Sequence, residues 1–593
     1  MRRNLLYTLL ILLSSFYNSF AQTNAVTLKD GAGTVIGSSN SITAAYAMIP
    51  VTLAQSYVIE LNSNYDGSAE TYPISFISKT GAGPSNTITL RPEASVVSVS
   101  ITSVQASLPL IELNDADYII IDGRPGGIGT DRALLISNMG TTTSSYGIEF
   151  IDGACNNVIR HCRISGYTTA GSGSKGIYIG ASASNPTGNS DNRFEFLTFD
   201  NGPRYHMNSS GTQLNPNRNL VVHGCEFKNI NFAGWWQQNG TGKVTVDSCF
   251  FYGTGGGGSS GTGMFAILSD FQIDTIVATR NSIYNMDNFN YSTDVMGMSF
   301  RSFNPGAAIR IFNNFINLNA ANVSTGESYG ISLGYNSANN PVDAMIYHNT
   351  ILIGGTASGG TAGVDNSAGI AIIELDTLSK LDVRNNILIN QRTGGPGEHL
   401  ALSRIATLGT QVLNYNNYVS SGPNMVRLAG VTYPNLVSYQ AAAGSNEINS
   451  KSVAVTFMSA NDLHLGVPSA TDINLHAVSI PAITHDYDGD LRISFYMGAD
   501  EPNAGVGIDN LESSATTFEL YPNPAGNSFT IRPLIQDVKY AELFDLNGAI
   551  VQKIELLPGT EKLVDVSQLS KGVYFVKLHS EKQVQSARLV VMD

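Results

Sequence analysis

Ile159-Arg-His-Cys162-Arg-Ile164 returns down the chain in other letters and the same pattern. Val222-His-Gly-Cys225-Glu-Phe227, Val246-Asp-Ser-Cys249-Phe-Phe251, Ala278-Thr-Arg-Asn281-Ser-Ile283, Ile311-Phe-Asn-Asn314-Phe-Ile316, Ile346-Tyr-His-Asn349-Thr-Ile351 and Val383-Arg-Asn-Asn386-Ile-Leu388 all read apolar-x-x-(Asn or Cys)-x-apolar. Phe194-Glu-Phe-Leu197-Thr-Phe199 fills the gap between the first two. Positions 162, 197, 225, 249, 281, 314, 349 and 386 stand about 24 to 37 residues apart. A constant core at variable spacing means one stacked unit with loops of changing length.

A second apolar strand precedes most of these cores: Gly147-Ile-Glu-Phe150, Gly176-Ile-Tyr-Ile179, Met264-Phe-Ala-Ile267, Met296-Gly-Met-Ser-Phe300, Gly330-Ile-Ser-Leu333 and Gly369-Ile-Ala-Ile372. Each repeat is therefore strand, turn, strand, turn. Strands this short cannot bury an apolar face alone, whereas coils stacked at about 4.8 Å share continuous sheets and one core. The predicted body, residues 22–501, is an all-β, right-handed parallel β-helix. The recurring Asn is expected to form a ladder of amides up the stack. Tyr57-Val-Ile-Glu-Leu61, Thr87-Ile-Thr-Leu90 and Tyr118-Ile-Ile-Ile-Asp122 read as the first coils, and residues 460–501 as the closing end. Coils of this kind resemble those of pectate lyases and polygalacturonases, which implies the pectin lyase fold.

The tail reads differently. After Phe518-Glu-Leu-Tyr521-Pro522-Asn523-Pro524 come short alternating runs, with Leu546-Asn547-Gly548 at one turn and Lys571-Gly572-Val573-Tyr574 opening another strand. Such runs predict a small β-sandwich over residues 518–593. Tyr521, Pro522, Asn523, Pro524, Gly548, Gly572 and Tyr574 carry a resemblance to the type A C-terminal sorting domain of the type IX secretion system. That resemblance implies export across the outer membrane of a Gram-negative cell, handling by the secretion machinery and its sortase, and attachment to or release from the cell surface. Residues 502–517, rich in Asn, Gly and Ser, read as the linker.

At the other end, Arg2-Arg3, an apolar run over residues 5–13 and the exit Ser19-Phe20-Ala21 predict a signal peptide at residues 1–21. No later stretch has the length of apolar residues that a membrane helix needs. The chain has 593 residues, of which 13% are charged, and a formal net charge of -14, a balance that argues against a nucleic-acid partner. Cys155, Cys162, Cys225 and Cys249 follow the leader, the last three at one repeat position, and a buried thiol stack is favoured over a Cys225–Cys249 bridge.

Candidate chemistry is sparse. Trp235-Trp236-Gln-Gln-Asn239 holds both tryptophans and reads as a loop, with Arg204-Tyr205-His206 in the loop one coil earlier. Flat rings beside amides suit a sugar face, so Trp235, Trp236, Arg204 and His206 are the predicted ligand residues, against the alternative that the indoles only cover the coil. Asp486, Asp488 and Asp490 alternate around Gly489, the oxygen-rich spacing that suits calcium; the alternative is a turn whose carboxylates cap backbone amides. Asp115, Asp117, Asp122 and Arg124 bear some likeness to the acidic clusters of β-helix lyases. None of the nine histidines has the spacing of a zinc motif. No catalytic set can be assembled from sequence. Two functions stay open: a secreted or surface β-helix protein that binds glycans or serves as an adhesin-like rod, and a polysaccharide lyase or hydrolase.

Overall fold

The computed structural model describes residues 24–167, 173–182, 185–200, 203–255, 263–288, 294–318, 326–334, 340–357, 366–405, 410–502, 518–534, 538–545, 549–580 and 584–592. The predicted signal peptide, Gly548 and nearly all of the predicted linker lie outside them. The chain divides into two compact units between Pro502 and Asn503.

The first unit is a parallel β-helix of three long sheets. Among the described residues a first sheet of 13 strands, a second of 14 and a third of 11 are visited in turn by successive coils. One full coil runs Tyr146–Ile151, Val158–Arg160, Arg163–Gly166, and then returns to the first sheet at Lys175–Ile179. The repeat is thus three strands, not two, because the quoted core is itself bent. Its third residue sits in the left-handed region, at His161 (φ 51°), Phe196 (53°), Gly224 (62°), Ser248 (54°), Arg280 (53°), Asn313 (57°), His348 (51°) and Asn385 (62°). That residue turns the chain from the second sheet into the third, and the Asn or Cys after it points inside.

The sequence alignment of the cores is the register of the stack. Ile159, Phe194, Val222, Val246, Ala278, Ile311, Ile346 and Val383 pair successively in the second sheet. Ile164, Phe199, Phe227, Phe251, Ile283, Ile316, Ile351 and Leu388 do so in the third. Phe199, Phe227 and Phe251 lie nearly parallel, with centroids 4.9 and 4.6 Å apart.

Two chemistries fill the corner between those sheets. In the later coils Asn281, Asn314, Asn349 and Asn386 each donate their side-chain amide to the Oδ1 of the next, at 2.9–3.0 Å, and Asn416 adds a further rung. Each Oδ1 also accepts the backbone N–H of the residue before it in the ladder, so buried amides are satisfied in two directions. In the earlier coils Cys162, Leu197, Cys225 and Cys249 occupy the corner, fully buried. All four cysteines are free thiols, and burial pushes the Cys162 and Cys249 thiols well above their usual range.

Both ends of the stack are closed. Strands Val26–Asp30 and Val35–Ser39 extend the second sheet antiparallel, under the helix Ile42–Ala47. At the far end the helix Leu436–Ala443 carries Tyr439, which with Tyr418 and Ser450 donates to the buried carboxylate of Glu447. Residues 460–501 do not close the stack. They belong to a segment, residues 453–502, that runs back over the outer face of the third sheet, where Leu463, Leu465, Tyr496 and Met497 pack on Phe315, Leu352, Ile387 and Ile389. Arg492 pins it: its buried guanidinium donates to Asn313 Oδ1 and to the carbonyls of Gly498 and Ala499 at 2.7–3.1 Å.

The second unit is a sandwich of a three-stranded sheet (Phe518–Tyr521, Ser528–Pro533, Lys562–Asp565) and a four-stranded one (Ile550–Glu555, Val538–Phe544, Gly572–Ser580, Val584–Val591). Phe529, Ile531, Leu543, Val576 and Leu589 fill its core. Asn523, between Pro522 and Pro524, clips the entry turn to the last strand: its amide donates to the Arg588 carbonyl at 2.6 Å and its oxygen accepts Val590 N–H at 2.9 Å. Tyr574 is buried and donates to the Ser570 carbonyl at 2.6 Å, while Tyr521 is exposed.

Candidate functional site

The strands of the first sheet from Tyr146–Ile151 to His399–Arg404 repeat one pattern, outward, inward, inward, outward, inward, and the first inward residue is small in all of them but Tyr205–Ser209. In Met264–Ser269, Phe265 and Leu268 face out, while Ala266 and Ile267 both turn to the core. The small position is tight, since a Cβ on Gly147, Gly297 or Gly330 would stand 2.6 Å from the carbonyl oxygen of the next coil. This break in alternation decides the fate of the predicted ligand residues.

Trp235 and Trp236 lie in the strand Ala233–Gln237, not in a loop. Trp235 takes the second inward position, is fully buried and bonds Gln237 Oε1 at 3.3 Å. His206, in the strand Tyr205–Ser209, takes the first inward position; it stacks on Phe199 at 5.5 Å, and burial drives its pKa down to about 3. Neither residue can meet a ligand. Trp236 and Arg204 remain outside, each packed on the same two buried rings. Trp236 is tilted against Tyr205 at 4.7 Å and edge-on to Phe232 at 5.6 Å, and the Arg204 guanidinium lies 5.4 and 5.3 Å from the Tyr205 and Phe232 rings. The indole N–H of Trp236 donates to Asp270 Oδ2 at 3.0 Å; Arg301 approaches the other oxygen at 3.9 Å and covers the Phe265 ring at 4.7 Å. The result is an aromatic platform edged by two guanidinium groups and a carboxylate.

Next to this platform, toward the N-terminal coils, the same outer face holds groups that sequence reading missed. Glu112 and Glu149 stand on adjacent rungs, in register. Burial, then the neighbouring Glu112, raises the Glu149 carboxyl to about 7, with Lys175 opposing. Burial lowers the Lys175 ammonium to about 8 against the pull of Glu149; its Nζ lies 4.6 and 4.8 Å from the Tyr146 and Tyr178 rings. A carboxyl raised toward neutrality beside a second carboxyl one coil away is the raw material of acid–base chemistry. The signal was present in Gly147-Ile-Glu-Phe150, where Glu149 sits between two inward residues; its partner one coil away was not. Toward the C-terminal coils, a cavity of about 280 Å3 is lined by Tyr329, Ser403 and the ion pair of Glu398 with Arg427, among others.

The other predicted clusters separate. Asp122 is buried against Arg124 (2.7 Å) and Arg160 (2.9 Å), which outweigh burial and hold its pKa below the usual carboxylate range. Asp117 accepts the Cys155 N–H at 2.8 Å, and Asp115 sits at a left-handed turn position. These are turn supports at the edges of the first and second sheets. In the calcium candidate, Asp486 is buried and its oxygens accept the N–H groups of Asp488, Asp490 and Glu501 at 2.9–3.2 Å, so it caps a turn. Asp488 turns away from it, toward His464 Nε2 at 3.0 Å, and Asp490 is exposed.

Comparison with known proteins then places the tail. Residues 519–592 match the secretion system C-terminal sorting domain. The sorting domain marks the protein as an export substrate of the type IX machinery, destined for the surface or exterior of a Gram-negative bacterium. A comparison with curated proteins gives no match. The chain is similar to full-length tailspike protein 2 of the Escherichia coli O157:H7 bacteriophage CAB120 at 13% identity, over 84% of this chain and 64% of that one, with a TM-score of 0.25. It is similar also to the enzymatically active domain of bacteriophage CBA120 tailspike protein 2, at 12% identity over 85% and 72%, with a TM-score of 0.23. The chain thus spans 64% of the length of the first tailspike. The strand register, not these likenesses, defines the coil fold here. Among the described residues no helix is long and apolar enough to cross a membrane.

Proposed function

We propose that the exported β-helix binds an extracellular polysaccharide along the outer face of its first sheet. The partly exposed Trp236 ring, backed by the buried Tyr205 and Phe232 and edged by Arg204, Asp270 and Arg301, carries this reading: a flat apolar ring takes the C–H face of a sugar and the flanking charges take hydroxyl or carboxylate groups. A protein carried to the cell exterior meets such polymers there. Affinity electrophoresis of the mature chain in gels holding neutral or acidic polysaccharides tests it. At least one polymer is expected to retard the protein, and Trp236→Ala to abolish the retardation; a variant retarded as strongly as the parent would sink the reading.

A second reading, cleavage of the bound polymer, is favoured by Glu149 beside Glu112. Hydrolysis needs one protonated and one ionised carboxyl flanking the glycosidic bond, and burial raises Glu149 to about 7, so that part of the population keeps its proton at neutral pH. Release of new reducing ends from a retarding polymer, lost in Glu149→Gln, is the outcome this reading requires. Binding without release assigns the face to adhesion. Deletion of residues 518–593 is expected to hold the protein inside the cell, as a Western blot of medium and surface fractions would show.

A further inference from the structure

The segment that covers the third sheet carries a set of donors that lie apart from the outer face of the first sheet. His464 lies in the strand Asp462–Leu465 with both ring nitrogens engaged: Nδ1 donates to Asp462 Oδ1, and Nε2 faces Asp488 Oδ2 at 3.0 Å. Asp500 is buried beside them and accepts the Leu465 N–H at 3.1 Å. One donor atom each of His464, Asp488 and Asp500 lies within 4.8 Å of the others. The rings of Phe315 and Tyr487 wall the imidazole at 4.8 and 5.7 Å.

The surrounding charges are already committed. Asp486 caps its turn, Glu501 accepts the amides of Ile493, Ser494 and Phe495, and Arg492 is spent on Asn313 and carbonyls. Three aspartates thus meet one imidazole. Even a protonated ring leaves two negative charges there, and the Asp500 carboxyl among them is buried, where an unbalanced charge is costly. Asp462 holds Nδ1 as the protonated nitrogen, which leaves Nε2 as the donor facing Asp488, the arrangement in which an outer carboxylate orients a metal-binding histidine.

We propose that His464 Nε2, Asp488 and Asp500 bind one divalent transition-metal ion, with zinc the best fit to one imidazole and two carboxylates, and Asp462 as the positioning carboxylate. Calcium, which takes six to eight oxygens, does not suit an imidazole. The ion would replace the proton between Nε2 and Asp488 and tie residues 464, 488 and 500 into one clasp. No sequence motif announces it, because the ligands come from one strand and two later points of the chain, 24 and 36 residues on.

Isothermal titration of the chelator-stripped mature full chain with zinc, manganese and calcium, paired with thermal melting, tests this. One zinc per chain is expected, with a rise in Tm, and at least tenfold weaker binding in Asp488→Asn, whose half-exposed side chain leaves the fold in place. His464→Gln is expected to lose both the binding and the Tm rise. Zinc bound equally by parent and Asp488→Asn overturns the proposal, as does calcium bound more tightly than zinc. So does an absence of zinc binding where His464→Gln still lowers Tm, which would make the cluster an ion pair only.

Discussion

The outer faces of the first and third sheets are made from equally short strands on the same coils, and they meet different fates. On the third, Phe315, Leu352, Ile387 and Ile389 are apolar and are buried by the chain's own residues 453–502. On the first, the packed cluster is built from residues of the sheet and its flanks, and the same face carries partly exposed Glu149, Lys175, Trp236 and Arg301. A solenoid face whose apolar residues have a partner within the chain is a structural surface. One that mixes rings, guanidinium groups and a carboxyl held near neutrality is a surface arranged for something else.

The sharpest way to break that contrast is to exchange neighbours that differ only in which way they point. Trp235→Ala empties a fully buried site and is expected to cost about 3 to 5 kcal/mol in denaturant unfolding, with loss of the coil fold at moderate temperature. On the third sheet, Arg492→Met leaves Asn313 and two carbonyls without their donor. A loss of about 3 kcal/mol is expected by the same measurement, together with early proteolysis of residues 453–502.

Smaller effects come from two histidines with opposite pH signatures. His464 in the metal-free chain is pulled down by burial but raised more by its bonds to Asp488 and Asp462, to about 9 from 6.5. Its contribution to stability is therefore complete below about pH 6.5 and is lost as pH rises to about 9. His206, depressed by burial from 6.5 to about 3, works the other way: folding is penalised as pH falls through that interval. Melting curves from pH 3 to 9 are expected to show the alkaline slope flattened in His464→Gln and the acid slope flattened in His206→Phe. Smallest of all, Trp236→Ala is expected to change stability by about 1 kcal/mol or less while removing polysaccharide retention.

The coil core was legible because it is a local pattern. The alignment on Cys162, Asn281 and their equivalents reproduces the observed register rung for rung, since a left-handed residue followed by an inward Asn or Cys is what bends the chain between two sheets. Asn416, in Leu413-Asn-Tyr-Asn-Asn-Tyr418, fits the same pattern and extends the ladder. What could not be read was direction and distance. Trp235 and His206 lie in strands where the sequence reads as loops, and the alternation of those strands is broken at the first inward position, so their direction had no simple period to read. Glu149 meets Glu112 only through stacking, at a separation of 37 residues set by two further strands and the turns between them. The cover over the third sheet joins residues more than 140 apart, such as Thr350 and Ala499, which no repeat encodes.

The protein has two tryptophans, and that gives the most direct test of the first-sheet face. Trp235→Phe leaves Trp236 as the sole indole, and Trp236→Phe leaves the buried Trp235. Iodide quenching of each variant is measured with and without a polysaccharide that retards the protein in affinity gels. The account expects the polymer to shield the emission of Trp236 in the first variant and to leave that of Trp235 in the second unchanged. Trp236 emission equally quenched with and without the polymer would contradict it.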